Sequence, residues 1–147
     1  MKLSTKMRYG TRAMVDLAMT YPKRTVSVKE LAKNQRLSIK YLEHIMAALK
    51  GSGLIKPERG VHGGYSLSRD PNTIKLLELY RAFEGPFSLL DCIGNPNLCE
   101  MKAECPTRDT WIEMNEALEK ILERTTIQDL LERKKKLKNS SLAMYHI

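Results

Sequence analysis

The strongest structural pattern in the chain lies in residues 25–69, TVSVKELAKNQRLSIKYLEHIMAALKGSGLIKPERGVHGGYSLSR. It begins with two helical segments. Ser27 is placed to cap the first helix by accepting the N–H of Glu30, whose carboxylate would reach back to the cap. Ser38 is placed to cap the second helix. Apolar residues then recur at helical spacing, at Ile39, Leu42, Ile45, Met46 and Leu49.

The same stretch predicts a β-hairpin after the second helix. Gly51 and Gly53 are expected to end that helix, because glycine adopts the left-handed C-cap conformation at low cost. Two short β-like runs follow, at residues 54–58 and 65–68, joined by the glycine-rich segment 59–64. This order indicates a winged helix-turn-helix. In that fold the second helix enters the major groove of DNA, and the hairpin lies on the backbone or in the minor groove.

Charge is distributed unevenly along the chain and supports this interpretation. Residues 1–69 carry 14 Lys and Arg against 4 Asp and Glu, a balance of +10. Residues 70–147 carry 11 against 13, a balance of −2. The net charge of +8 therefore lies with the predicted DNA-binding half, where cations release counterions from phosphates. The alternative is a basic helical domain with no DNA to bind.

The outward face of the second helix and the tip of the wing supply the candidate DNA contacts. Lysine donates to guanine, and glutamate accepts from the amino group of cytosine. Glu43 either reads a base edge in this way or pairs with Lys40 along the helix. An arginine at the wing tip, Arg59, suits a narrow, electronegative minor groove. The predicted DNA-contacting set is Ser38, Lys40, Tyr41, Glu43, His44, Arg59 and Gly60.

The rest of the chain predicts a mainly α protein. Helices are expected over residues 5–21, with Thr5 as cap, and over residues 73–84. A long helix over residues 107–124 would carry Pro106 in its first turn. It has an acidic face and a narrow apolar seam of the kind that pairs with a second copy. The seam consists of Trp111, Met114, Asn115, Leu118, Ile121 and Leu122.

Four segments are therefore expected along the chain. Residues 1–84 form the winged helix-turn-helix domain, with its small β-hairpin wing. Residues 85–106 form a cysteine-containing loop without regular structure, and residues 107–125 form the dimerisation helix. Residues 126–147 form a short C-terminal helix, with a solvated basic run, and a tail. A homodimer suits DNA recognition, because its two-fold symmetry matches a palindromic site.

Composition limits the cellular context and the class of protein. The 147 residues, 42% of them hydrophobic, are enough for a compact domain with an appended helix. The amino-terminal run MKLSTKMRYG has no apolar segment behind its lysines, and no stretch approaches the length of a membrane span. We therefore expect a cytoplasmic protein without membrane association, in a compartment that disfavours structural disulfides.

The three cysteines lie close together, at Cys92, Cys99 and Cys105, with the spacing C-x6-C-x5-C. Thiolates clustered on one loop suit a soft metal or an iron–sulfur cluster. Zinc is a competitor, since it binds thiolates and usually takes four ligands. A thiol–disulfide switch is a third interpretation, and the spacing leaves all three open. Because no His, Asp or Lys is placed in sequence to activate these sulfurs, we do not expect an enzyme.

Several segments resemble the Rrf2 family of bacterial transcription regulators. They are MKLSTKMRYGTRAMVDLA, LSIKYLEHIMAALKGSGLI, RGVHGGYSL and the cysteine loop followed by PTRDTW. The three-cysteine loop looks most like the iron–sulfur cluster branch, whose members are homodimers that bind a cluster, usually [2Fe-2S], and control cluster-assembly genes. The resemblance implies that Cys92, Cys99 and Cys105 are cluster ligands. It also implies that Lys40, Glu43, His44 and Arg59 contact DNA.

The chain departs from that branch at the fourth ligand. Many such regulators place a histidine three residues after the last cysteine, where this chain has Arg108. Others take an acidic residue from the partner's first helix, and the matching region here has Arg8. The fourth ligand is therefore unknown. The nearest oxygens in sequence belong to Asp91, Glu100, Glu104 and Asp109.

The carboxyl end resembles a second branch of the family, the cysteine-metabolism repressors. Members of that branch lack the cluster ligands and have cysteine synthase as their partner. The resemblance implies that Met144-Tyr145-His146-Ile147 is a docking peptide for that enzyme. The alternative function is accordingly a cluster-free zinc or thiol-switch repressor of cysteine metabolism that acts with cysteine synthase.

Overall fold

The computed structural model describes residues 3–144, so the predicted docking peptide at the carboxyl end lies, except for Met144, outside the described residues. Within this range the fold is mainly α-helical, with a two-stranded antiparallel sheet. None of the helices between residues 3 and 144 is long and apolar enough to cross a membrane.

The first helix, α1, spans Thr5–Thr20. Its cap is Ser4, whose hydroxyl accepts the N–H of Met7 at 3.1 Å, so the prediction of Thr5 as the cap is wrong. One face of the helix carries Met7, Met14, Leu17 and Ala18, and each of these side chains is at most 5% exposed. The helix therefore lies in the centre of the core.

The helix-turn-helix consists of α2, Val28–Gln35, and α3, Ile39–Gly51. Both predicted caps are confirmed. The Ser27 hydroxyl accepts the N–H of Glu30 at 3.1 Å, and the Ser38 hydroxyl accepts the N–H of Tyr41 at 3.2 Å. The inner face of α3 is fully buried, with no exposure of its side chains at Leu42, Ile45, Met46 and Leu49.

Two details of this motif differ from the prediction. The Glu30 carboxylate does not return to the cap but accepts two hydrogen bonds from the Arg24 guanidinium, at 3.1 and 2.9 Å. Gly51 is the last residue of α3 rather than its cap, whereas Gly53 has the left-handed φ of 74° that the prediction requires. The turn between the helices is made by Arg36, also left-handed at φ 55°.

The wing is confirmed as an antiparallel hairpin of β1, Ile55–Glu58, and β2, Gly64–Leu67. Ile55 pairs with Leu67 at its base, and both side chains are buried. A bridge between Val26 and Tyr65 joins the wing to the segment that precedes α2. The wing is therefore attached through β2 to the segment before the helix-turn-helix.

The helix predicted over residues 73–84 begins later. Pro71–Thr73 forms a 3-10 turn, and α4 spans Leu76–Glu84. The Glu78 carboxylate accepts from the N–H of Lys75 at 2.9 Å and pairs with Arg69 at 2.6 Å, which ties the end of the wing to α4.

The cysteine segment is more regular than predicted. A four-residue helix, α5, spans Asp91–Gly94, and Pro96–Leu98 forms a 3-10 turn, so the prediction of a loop without regular structure is wrong. The predicted long helix is confirmed as α6, Arg108–Arg124. Pro106 precedes its cap, Thr107, rather than lying in its first turn.

The last helix, α7, spans Ile127–Met144 and is 18 residues long rather than short. Its start is fixed by a hydrogen bond from the N–H of Ile127 to the carbonyl of Ile74, at 3.0 Å, between two fully buried residues. The expectation that the basic run at residues 133–136 is simply solvated is wrong for Lys134. Its ammonium pairs with the carboxylate of Asp16 on α1, a side chain only 4% exposed.

Candidate nucleic-acid interface and cysteine loop

The outward face of α3 carries Lys40, Glu43 and His44, all exposed. The Ser38 cap fixes the start of the helix and so sets the direction in which these side chains project. Across residues 3–141 the ion pairs do not include one between Lys40 and Glu43. The intrahelical alternative for Glu43 is thus not realised, and its carboxylate remains available to a donor outside the protein.

Tyr41 differs from the other predicted contacts because it is half-buried. Its ring meets the edge of Tyr9 on α1, with centroids 6.2 Å apart and planes at 89°. The guanidinium of Arg12 lies 5.6 Å from the centroid of the Tyr9 ring. This stack, which holds the start of α3 against α1, was not predicted from the sequence.

The wing tip presents Arg59, Gly60 and Val61 to solvent, and the Val61 side chain is 98% exposed. Gly60 has a φ of 122°, a conformation that favours glycine. The Thr25 hydroxyl donates to the carbonyl of His62 at 2.7 Å and holds the tip against the segment before α2. This anchor was not predicted, because Thr25 and His62 are 37 residues apart in sequence.

Gly64, the first residue of β2, is a position at which the hairpin requires glycine. A Cβ added there would lie 2.4 Å from the carbonyl oxygen of Val26, closer than backbone atoms allow. The wing can therefore approach α2 only with a glycine at this position, a requirement that the sequence pattern alone does not reveal.

The three cysteines lie at different points of the segment before α6. Cys92 lies in α5, Cys99 follows the 3-10 turn and Cys105 precedes the α6 cap; all three are partly exposed and reduced. Among residues 3–144, no three Cys, His, Asp or Glu side chains meet in an arrangement that could hold a metal ion. The donor chemistry fits a soft metal centre, but gathering the thiols requires the segment to rearrange.

The surroundings of Cys105 favour its thiolate form. A hydrogen bond with the Thr107 hydroxyl, at 3.5 Å, is the main cause that lowers the pKa of the Cys105 thiol below its ordinary value. The backbone N–H groups of Thr107 and Arg108 and the positive charge of Arg108 act in the same direction. Because thiolate is the form that binds metals and attacks disulfides, Cys105 is prepared for either role.

Side chains of α6 hold the cysteine segment at two points. The N–H of Leu89 donates to the side-chain oxygen of Asn115 at 2.7 Å. Arg108, where a histidine ligand would be expected, donates instead to the carbonyl of Cys92 at 3.2 Å. A change of conformation around the thiols would therefore act directly on α6.

The apolar seam of α6 is only partly covered. Leu122 is 9% exposed, but Met114 and Ile121 are 43% and 45% exposed. The protein's own contacts with α6 come mainly from α4, including the ion pair of Arg81 with Glu119 at 3.3 Å. The uncovered seam is the surface that was predicted from the sequence to pair with a second copy of the chain.

A winged helix-turn-helix with a basic half and an outward-facing recognition helix defines the chain as a DNA-binding transcription regulator. It belongs to the Rrf2 family, described as "Iron-dependent Transcriptional regulator", whose pattern matches residues 3–133. The predicted fold class and family are thereby confirmed. Related proteins are transcriptional regulators, which supports the expectation that the chain is not an enzyme.

Two members of this family illustrate the similarity. The chain is 35% identical over 130 residues to the regulator CymR of Bacillus subtilis (strain 168), covering 88% of this chain and 89% of that one. The solved structure of B. subtilis CymR, "the Global Cysteine Regulator", matches with a TM-score of 0.78 and 34% identity, covering 90% of this chain and 98% of that one. The structure of T. potens IscR matches with a TM-score of 0.75 and 34% identity, covering 93% and 90%. These similarities do not single out one branch.

Proposed function

We propose that this regulator is a cytoplasmic homodimer that senses iron–sulfur cluster status through its three-cysteine loop and controls genes of cluster assembly or related sulfur and iron metabolism. One observation carries the proposal. Three thiols lie on a single segment that is hydrogen-bonded to α6, and α6 has an apolar seam that its own chain leaves partly uncovered.

At the DNA end, two copies of α3 would enter successive major grooves of a palindromic operator. Lys40, Glu43 and His44 would read base edges. Ser38, Tyr41 and Gly60 would position the helix and wing on the backbone, and Arg59 would enter the minor groove. The exposure of the three α3 side chains and of Arg59 supports these roles.

At the sensing end, Cys92, Cys99 and Cys105 would hold the cluster, which the resemblance implies is a [2Fe-2S] centre. A bound cluster supplies a redox-active cross-link among these three points of the chain. To meet, the thiols must leave their present positions, so the bonds of Arg108 to Cys92 and of Leu89 to Asn115 would change. Because those bonds end on α6, the relative placement of the two recognition helices would shift.

The first test is anaerobic purification followed by an absorption spectrum and analysis for iron, sulfide and zinc. We expect visible bands with matched iron and sulfide. Operator affinity of holo and apo protein, measured by fluorescence anisotropy at fixed salt, should then differ. Cys92→Ala should abolish that difference, whereas Met101→Ala, exposed in the same segment, should retain it. If Cys92→Ala still discriminates between the two states, cluster sensing by this loop is wrong.

A second candidate function is a cluster-free zinc or thiol-switch repressor of cysteine metabolism that acts with cysteine synthase. The depressed pKa of the Cys105 thiol favours it, as does the similarity to a global cysteine regulator. Colourless protein with stoichiometric zinc would support the zinc form. Deletion of residues 144–147 should abolish binding to cysteine synthase; equal affinity with and without them would exclude the docking peptide.

A further inference from the structure

A cavity of about 460 Å³ lies between α1, the end of α2 and α7. The residues that line it do not include any of the predicted DNA contacts or cysteines. Its volume falls in the range of sites that bind small molecules in other proteins. The Rrf2 fold thus contains, in this chain, a concave surface that neither DNA binding nor the cysteine loop uses.

Part of the wall is apolar. Val15 contributes from α1, and Leu130 and Leu137 contribute from α7. Leu137 is 70% exposed, so its apolar surface is open to a ligand. These side chains would cover the apolar body of a ligand and would be removed from water by it.

The polar part of the wall is cationic. It contains Arg12, Arg133 and Lys134 and no carboxylate. Lys134 is neutralised by Asp16, but within residues 3–141 neither Arg12 nor Arg133 has an ion-pair partner. The Asp129 carboxylate lies close enough to Arg133 to feel its charge, so the positive charge of the cavity is only partly compensated. Positive charge beside an apolar surface is a combination that suits an organic anion.

Gln35 adds an independent sign of a ligand. This residue is 5% exposed and forms part of the cavity wall. Its amide nitrogen donates to Asp16, while its amide oxygen is buried without a hydrogen-bond partner in the described part of the chain. Buried polar atoms are nearly always paired, so this oxygen has an unused acceptor, which a donor in the cavity would reach after a rotation of the Gln35 side chain.

We propose that this cavity binds a small organic carboxylate that has an apolar body and a hydroxyl or amino donor. The carboxylate would lie between Arg12 and Arg133, the body against Leu130 and Leu137, and the donor at the Gln35 oxygen.

The position of the cavity gives such a ligand access to the DNA-reading helix. Gln35 is the last residue of α2 and directly precedes the left-handed turn at Arg36. Arg12 also lies over Tyr9, whose ring contacts Tyr41 at the start of α3. A ligand that engages Gln35 and Arg12 therefore acts on both sides of the recognition helix's N-terminus and alters operator affinity.

The test uses mandelate, which has a carboxylate, a hydroxyl and a phenyl body, and mandelamide as its neutral counterpart. Titration of the full chain, followed by NMR chemical shifts, should give saturable binding of mandelate and much weaker binding of mandelamide. Arg133→Gln should weaken mandelate binding by up to about fivefold, as expected for a partly solvated ion pair. Lys136→Gln, which removes the same charge from the same helix outside the cavity, should leave it unchanged.

A second readout addresses regulation. Saturating mandelate should change operator affinity of the wild-type chain by about fivefold in fluorescence anisotropy. The proposal is overturned if mandelate does not saturate, if mandelamide binds equally well, or if Arg133→Gln binds like wild type. Binding without any change in operator affinity would overturn the regulatory part, and direct titration separates that result from a failure of DNA binding.

Discussion

The winged half of the chain and α6 differ in how completely their apolar side chains are buried. In the winged half, the inner faces of α1 and α3 have side chains that are between 0 and 5% exposed. In α6, only Leu122 falls below a tenth, while Met114 and Ile121 remain nearly half exposed. Within one chain the core of the DNA-binding domain is complete, whereas the seam of α6 remains partly uncovered.

The two regions also differ in charge. The first 69 residues carry +10, whereas the rest carries −2, with an acidic face on α6. Phosphates attract the former and repel the latter, so the protein approaches DNA with its winged half. The difference agrees with the proposal that one region binds DNA and that the other would pair and sense.

The largest effect is expected in the winged core. Ile45→Ala should lower the free energy of unfolding by about 2–5 kcal/mol, because the side chain is fully buried and leaves a cavity. Urea unfolding followed by circular dichroism measures this loss. Val61→Ala, at the exposed wing tip, is the control and should change stability by less than about 0.5 kcal/mol. A loss below about 1 kcal/mol for Ile45→Ala would contradict a rigid core at α3.

A substitution in the seam of α6 should weaken dimer formation rather than unfold the chain. Ile121→Glu places an unpaired charge on a surface that is 45% exposed in one chain, so the fold should persist. If the seam forms the dimer, two-fold symmetry buries the charge twice, and dimer affinity should fall by at least about 100-fold. Sedimentation equilibrium measures the dimer affinity, and Glu116→Gln on the acidic face is the control. An unchanged dimer would move the interface elsewhere.

What could be predicted from the sequence was local. The Ser27 and Ser38 caps and the buried face of α3 depend on residues within a few positions of one another. Each was found where short-range hydrogen bonding and helical periodicity placed it. The error at Thr5 has the same origin, because neighbouring Ser4 offers an equivalent hydroxyl and only the geometry of the first turn distinguishes them.

What was missed depends on distant residues. The cysteine segment looked irregular because Asn115, 26 positions beyond Leu89, helps to hold it. Residues 132–141 of α7 are all exposed, and most of them are charged or polar, so their periodicity did not predict a long helix. Lys134 seemed solvated because its partner, Asp16, is 118 positions away. For the candidate site, residue types and spacing could be predicted, but the separation of the three thiols could not.

The link between α1 and α7 should show an intermediate effect. Lys134→Met leaves the Asp16 carboxylate, 4% exposed, with only the Gln35 amide as a partner. Because Lys134 is itself 43% exposed, we expect a loss of about 1–2 kcal/mol rather than the larger cost of a fully buried pair. Lys136→Met is the matched control in the same urea experiment. Equal stability of the two variants would mean that the pair does not hold α7.

A smaller effect is expected at the wing, on DNA binding alone. Arg59→Ala should weaken operator binding by about fivefold and reduce the salt dependence by about one counterion. Stability should not change, since Arg59 is exposed. Arg124→Ala removes the same charge from α6 and should leave both quantities as they are. Identical salt slopes for Arg59→Ala and wild type would exclude a phosphate or minor-groove contact.

The smallest effect concerns the start of α7, where Asp129 and Thr126 cap each other. The Asp129 carboxylate accepts from the N–H and hydroxyl of Thr126, at 2.8 and 2.9 Å, and these bonds lower the pKa of Asp129 below its ordinary value. The contribution of the Asp129 carboxylate to stability is therefore complete above the ordinary carboxyl pKa and disappears as the pH falls towards the lowered value.

Asp129→Asn should lower the melting temperature slightly at neutral pH, and in acid its melting temperature should converge with that of the wild type. Glu132→Gln, one turn further along α7, should not converge in this way. Parallel melting curves for Asp129→Asn and wild type at every pH would show that the ionised carboxylate does not stabilise α7. The start of α7 would then be held by the burial of Ile127 and by its hydrogen bond to Ile74.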